Sequence, residues 1–213
     1  MKKMILLSFL VLFIPIILYG QDKIEAPVWN VGDRWRFAGN FPMSVINADE
    51  NSYTVTFLTR TGESIYIYDK SSLNILYSVE GDRRMEFKGV HRKRLNFPFV
   101  IRKSWKDSYV TIHPTVGPRQ YDYYYTYTVL GWEDVEVRAG KYKALKIEYK
   151  EERVEDAPRR QRSFFKSEAP KTKEGKAWFW YSPDVKYLIK CKLEESEFWT
   201  GHNDWELTSF KLK

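Results

Sequence analysis

The chain has 213 residues, with 35 Lys and Arg against 28 Asp and Glu for a net charge of +7, and 17% of its residues are aromatic. That length allows one domain or two small ones and is long enough for a self-sufficient hydrophobic core. A single cysteine, Cys191, excludes an intramolecular disulfide and a cysteine-built metal cluster. The basic residues are interleaved with acids, which argues against a nucleic-acid partner.

Lys2 and Lys3 precede a nearly unbroken apolar run, Met4 to Tyr19, interrupted by Ser8 and Pro15 and closed by Gly20. A positive start, an apolar stretch and a small exit residue describe a signal peptide over residues 1–20. The run falls short of the roughly 20 apolar residues a spanning helix needs. No cysteine stands at its end, so the expectation is an exported chain without a lipid anchor, delivered to the periplasm or beyond. No later stretch approaches membrane-spanning length. Two basic concentrations, "KGVHRKRL" at 88–95 and "RRQR" at 159–162, read as solvated edges, or as contacts to an anionic membrane surface or polymer.

After residue 20 the pattern is of short alternating runs punctuated by Gly, Asn, Asp and Pro, which predicts strands and turns. "SYTVTFLT" places Tyr53, Val55 and Phe57 on one side and Thr54 and Thr56 on the other. "SIYIYDK" sets Ile65 and Ile67 against Tyr66 and Tyr68, and turns are expected at "DKSS" and at Gly81-Asp82. "YDYYYTYTVLGWEDVEV" reads as a long strand that bends or bulges at Gly131. A hairpin turn at Ala139-Gly140 follows, after which Leu145, Ile147 and Tyr149 face inward and Lys146, Glu148 and Lys150 outward.

Residues 151–175, rich in charge, predict a long excursion with weak pairing around Arg162 to Lys166. "AWFWYSPDVKYLIKCKLEE" then gives a strand, a turn at Ser182-Pro183-Asp184 and another strand. On that second strand Tyr187, Ile189, Cys191 and Leu193 share a face opposite Leu188, Lys190 and Lys192. A turn near Gly201 to Asn203 leads into a last strand.

"YDYYYTYTV" holds five tyrosines in nine positions, and alternation puts Tyr121, Tyr123, Tyr125 and Tyr127 on one face. Burying one large side chain is worth roughly 1.5–3 kcal/mol, so four rings left in water would forfeit on the order of 6–12 kcal/mol, an upper bound. Cover is therefore expected, from the protein itself, from a ligand or from a partner. Tyrosine hydroxyls suit a half-wet surface such as a cavity mouth. Trp178 and Trp180 alternate with Phe179 and Tyr181, so that strand is aromatic on both faces, which favours a closed or strongly curved sheet. Tyr121, Tyr123, Tyr125, Tyr127, Trp178 and Trp180 are the candidate ligand-binding residues.

Catalytic signatures are missing: no G-x-S-x-G elbow, no phosphate-binding loop and no H-E-x-x-H occurs. His91, His113 and His202 are widely separated, and "GHNDWE" reads as a polar turn rather than a metal site. Glu151-Glu152 and Glu155-Asp156 are adjacent in sequence and face opposite ways on a strand, which makes poor acid/base pairs. Cys191, between Ile189 and Leu193, reads as an inert buried thiol. No catalytic residue, metal or cofactor is expected.

"VGDRWRF", "VEVRAGKYKALKIEY" and "WFWYSPDVKYLIK" together resemble a group of exported bacterial β-proteins of unknown function that includes the TapB-like proteins. The shared pattern falls on Val135, Val137, Ala139, Gly140, Tyr142 and Ala144, then on Trp180, Tyr181, Ser182 and Pro183. The resemblance covers Gly131 to Leu193 and implies fold and export, with no established reaction. More distantly the chain is similar to the half-barrels that carry lipoproteins or lipids through the periplasm.

The expectation is a signal peptide over 1–20 and one all-β domain over 21–213, a single antiparallel, strongly curved sheet or partly open β-barrel. The expected function is non-catalytic binding of an apolar or amphipathic, lipid-like ligand in a concave aromatic-lined sheet. The alternative is an envelope structural or interaction protein that meets a protein or glycan partner.

Overall fold

The computed structural model describes residues 23–38, 42–59, 62–80, 83–86, 94–113, 119–155, 171–194 and 204–213. The signal-peptide segment, the turns at Gly81-Asp82 and Gly201 to Asn203, the "RRQR" run and the pairing expected around Arg162 to Lys166 lie outside them.

Twelve strands occur among the described residues. The first six are β1 (Arg34–Phe37), β2 (Met43–Ala48), β3 (Ser52–Thr59), β4 (Gly62–Asp69), β5 (Ile75–Glu80) and β6 (Arg83–Glu86). The second six are β7 (Ser104–His113), β8 (Arg119–Val137), β9 (Gly140–Glu155), β10 (Lys171–Ser182), β11 (Tyr187–Leu193) and β12 (Trp205–Lys211). All join one antiparallel sheet in the order β6-β5-β4-β3-β2-β1-β12-β11-β10-β9-β8-β7. Two meanders are thus joined where the first strand meets the last, and the sheet is open, ending at β6 and β7. Asp33, buried at the start of β1, reinforces this seam by accepting hydrogen bonds from the Asn30 and Lys213 backbone N–H groups.

The sheet is strongly curved. β8 and β12 stand four places apart in the order, about 19 Å on a flat sheet at the usual strand spacing. Yet Ala139 N in the β8–β9 turn donates to Leu207 O of β12 at 3.1 Å. Tyr68 of β4 and Tyr187 of β11, five places apart, both pack edge-on against the same Trp29 ring, at 5.5 and 5.6 Å. Alternation explains which rings turn inward: Trp35 and Phe37 of β1 are buried and Arg34 and Arg36 exposed. Leu145, Ile147 and Tyr149 of β9 are buried as expected.

The register shifts between Val129 and Gly131, the bulge expected in the long β8. At the turn below it Gly140 has φ +136°, a conformation that L side chains rarely adopt. A Cβ there would also stand 3.3 Å from the Tyr142 hydroxyl, which donates to Ala139 O. The turn at 182–186 forms through Val185 N to Ser182 O and Lys186 N to Pro183 O.

Two details differ from the sequence reading. The irregular excursion expected over 151–175 is strand at both ends. β9 continues to Glu155, β10 begins at Lys171, and the two pair from Lys171 opposite Glu155 to Gly175 opposite Glu151. Charged side chains do not prevent this, because they project from the ladder while the backbone bonds continue. Leu188, expected outside with Lys190 and Lys192, is buried. A register shift between Trp180 and Tyr181 brings Leu188 opposite Tyr181 instead.

Two non-strand segments cover the inner face. Residues 94–103 lead from the β6 side of the sheet to β7 at the opposite edge. Along the way Asn74 Nδ2 donates to Leu95 O at 3.0 Å, and Arg102 N donates to Val129 O at 2.8 Å. Residues 23–32 lie against the other half. Trp29 packs on Trp35, Tyr53, Tyr68 and Tyr187 and donates its indole N–H to Lys186 O. Leu95, read from sequence as part of a solvated basic run, is buried. Beside it the Arg94 guanidinium stands 5.8 Å over the Phe179 ring.

Candidate functional site

The inner wall of the second meander is a set of cross-strand rows. Trp105, Tyr127, Tyr149 and Ala177 stand opposite one another on β7, β8, β9 and β10. The next row toward the 155–171 end is Asp107, Tyr125, Glu151 and Gly175, and the one beyond pairs Tyr123 with Arg153. The wall therefore grades from aromatic to polar within two rows.

Ring geometry makes the aromatic part a continuous stack. Trp105 and Tyr127 are parallel, with centroids 5.2 Å apart and planes 7° from each other. Tyr125 stacks on Tyr149 at 5.6 Å and on Tyr123 at 6.4 Å. Phe99 from the covering segment lies 6.0 Å from Trp105 and 5.3 Å from Tyr181. Such pairs are worth about 0.5–1.5 kcal/mol beyond their buried area.

Glu151 sits in this wall only 3% exposed. The Tyr149 hydroxyl donates to its carboxylate. Burial raises the Tyr149 pKa well above the ordinary phenol value, and the neighbouring Tyr127 and Glu151 add to the effect. Burial likewise pushes the Cys191 thiol up to about 12, which suits the inert role read from its neighbours.

The candidate residues are divided between two faces. Tyr125 and Tyr127 are fully buried in the inner wall and Tyr123 is half-buried at its polar end. The Tyr121 side chain lies outside the described residues. Trp178 and Trp180 do not join the tyrosines. They take the outer positions, Trp178 half-buried and Trp180 buried at 8% exposure, and their strand neighbours Phe179 and Tyr181 take the inner ones.

On the outer face Lys146 Nζ stands 5.8 and 5.4 Å from the Trp178 and Trp180 rings, with Lys176 over the first and Lys190 over the second. Trp180 donates its indole N–H to Glu133 at 2.8 Å, and Lys146 pairs with the same carboxylate at 2.9 Å. Partial burial would raise the Glu133 pKa, but these two donors outweigh it and hold the carboxyl below its ordinary value.

The wall and its cover also contain residues that were not read from the sequence as facing inward: Trp105, Phe99, Asp107 and Glu151. Glu151 extends the inward period of Leu145, Ile147 and Tyr149 by one step, and that extension was the available signal. Among the described residues no group of three His, Cys, Asp or Glu side chains is arranged to hold a metal ion. No helix among them is long and apolar enough to cross a membrane.

No protein-family model matches the chain, and no curated protein does. Solved structures do. The hypothetical lipoprotein YmcC from Escherichia coli is 12% identical, with 89% of each chain covered and a TM-score of 0.38. A lipoprotein candidate from Parabacteroides distasonis is 12% identical over 90% of this chain and 100% of its own, at a TM-score of 0.37. A Bacteroides fragilis protein with a YmcC-like fold is 13% identical over 89% and 99%, at 0.36.

Proposed function

We propose that the chain is an exported, non-catalytic binding protein for an amphipathic, lipid-like molecule. The ligand's apolar part rests on Tyr123 at the polar end of the inner wall, and an uncharged head meets the row of Asp107 and Glu151, with Arg153 one row beyond. The observation that carries this reading is the gradation of the wall, from sealed rings at Tyr127 and Tyr149 to the half-buried Tyr123 beside buried acid. An apolar ligand alone would not need the acids, and a plain core would not place them there. The apolar run after Lys2 and Lys3 and the TapB-like pattern support export. A non-catalytic role is favoured because the buried Glu151 carboxylate is engaged by the Tyr149 hydroxyl.

Native mass spectrometry of the chain recovered after export tests this reading. The expected result is a co-purifying amphiphile that is lost from Tyr123→Ala. A single mass equal to the polypeptide alone, with no adduct at any declustering energy, counts against it.

A second reading rests on the outer face, where the half-buried Trp178 ring is flanked by Lys146 and Lys176 and Tyr124 is 48% exposed. Such a face suits an envelope protein or glycan. Crosslinking from Trp178→Cys in intact envelopes, with a discrete product, would favour it.

A further inference from the structure

Independently of the inner wall, an outer cleft on the first half of the sheet carries charge that no ion pair among the described residues neutralises. Arg34 of β1 stands directly opposite Lys211 of β12, and Arg36 opposite Ser209. On the other side Arg34 pairs with Ser44 of β2, which pairs with Thr56 of β3. These side chains and Glu63 line a cleft of ≈ 430 Å³ on the convex face, away from the core. The space is large enough for a small ligand.

Like charges directly opposite on antiparallel strands are destabilising. Several cations elsewhere on the sheet do have carboxylate partners. Lys146 pairs with Glu133, Lys176 with Glu148, Lys192 with Asp204, and Arg138 with Glu206. Arg34, Arg36 and Lys211 make no ion pair among the described residues, and Glu63 pairs with none of them. Three cations thus face one carboxylate across a cleft. Hydroxyls of Ser44 and Thr56 form part of its lining, and Thr56 is 8% exposed although it points outward.

The geometry points to a site for a phosphate group. Two guanidinium forks and an ammonium match a doubly charged tetrahedral anion, and arginine forks bind phosphate in bidentate fashion. The hydroxyls supply the short neutral donors that complete such a shell. Leu58, 59% exposed, also lines the cleft and offers contact to an apolar body carrying the phosphate. The same phosphate could be borne by a lipid headgroup or by a small soluble molecule.

Titration of the folded chain at low ionic strength tests the site, with inorganic phosphate followed by calorimetry in one arm and vesicle co-sedimentation in the other. The vesicles compare phosphatidylglycerol with phosphatidylcholine. Arg34→Gln and Arg36→Gln are each expected to weaken binding roughly tenfold, as loss of a charge-assisted hydrogen bond does. Glu63→Gln is expected to tighten it, and added salt to weaken it. All three side chains are on the outer face, and Glu63→Gln predicts a gain that misfolding cannot mimic. Phosphate binding without vesicle binding assigns a soluble phosphate. Selective binding to phosphatidylglycerol, sensitive to the arginines, assigns a headgroup. Absence of binding in both arms, or binding indifferent to all three substitutions, overturns the proposal.

Discussion

Ile24 and Phe99 exchange both of their backbone hydrogen bonds, Ile24 N to Phe99 O at 3.0 Å and Phe99 N to Ile24 O at 2.8 Å. The two residues belong to the two segments that lie over the inner face, so this one bridge ties the cover together. Beneath it Phe99 is fully buried between Trp105 and Tyr181. The buried half of the tyrosine row is closed by the chain itself: Tyr125 and Tyr127 are sealed among its own rings.

Phe99→Ala is expected to cost about 3–5 kcal/mol, the usual range for emptying a buried phenylalanine site. Urea denaturation measures the loss. The same variant should raise the accessibility of Trp105 to a collisional quencher, because Phe99 is stacked against that indole.

Alkaline pH should destabilise the fold through its buried phenols. Tyr149 and Tyr181 are both raised, chiefly by burial, above the ordinary value of 10.0. In the unfolded chain these groups ionise near that value, whereas the folded chain keeps them protonated. The folded state therefore holds more protons above pH 10, and stability falls as the pH rises. Their contribution is fully present below that pH. Urea titrations between pH 8 and 11 should show the decline, and Tyr149→Phe should reduce its slope. At neutral pH Tyr149→Phe should cost about 1–3 kcal/mol, because it removes a donor to a buried carboxylate.

Cys191 should resist modification at pH 8 in the native state. Its thiol is buried on β11 and titrates near 12, so almost no thiolate is present. Ellman's reagent should react on the timescale of unfolding and rapidly in denaturant. Fast stoichiometric reaction with the folded chain would contradict the packing described for β10 and β11.

Local alternation made much of the fold legible. Leu145, Ile147 and Tyr149 declared their face two residues at a time, and Gly131 and Gly140 marked the bulge and the turn. Glu151 was not legible as a wall residue, because its charge masks a position that the period of two assigns inward. The face that Trp178 and Trp180 take was not legible for the opposite reason: rings on both faces of β10 leave alternation without a sign. Only the tertiary pairing of Phe179 with Ile147 shows which set is inside.

The covering segment was the least legible part. "RLNFPFVIRK" has no period, and its role follows from joining opposite edges of the sheet. The pairing of β1 with β12 likewise joins residues far apart in sequence and has no local signature.

The most direct measurement is a titration of the folded chain, with 13C-labelled tyrosine rings, using monolaurin, an amphiphile with an uncharged head. The account predicts that the Tyr123 ring resonances shift in a saturable way while those of the fully buried Tyr127 and Tyr149 stay in place. Unmoved Tyr123 resonances at saturating amphiphile, or shifts confined to the sealed rings, would contradict it.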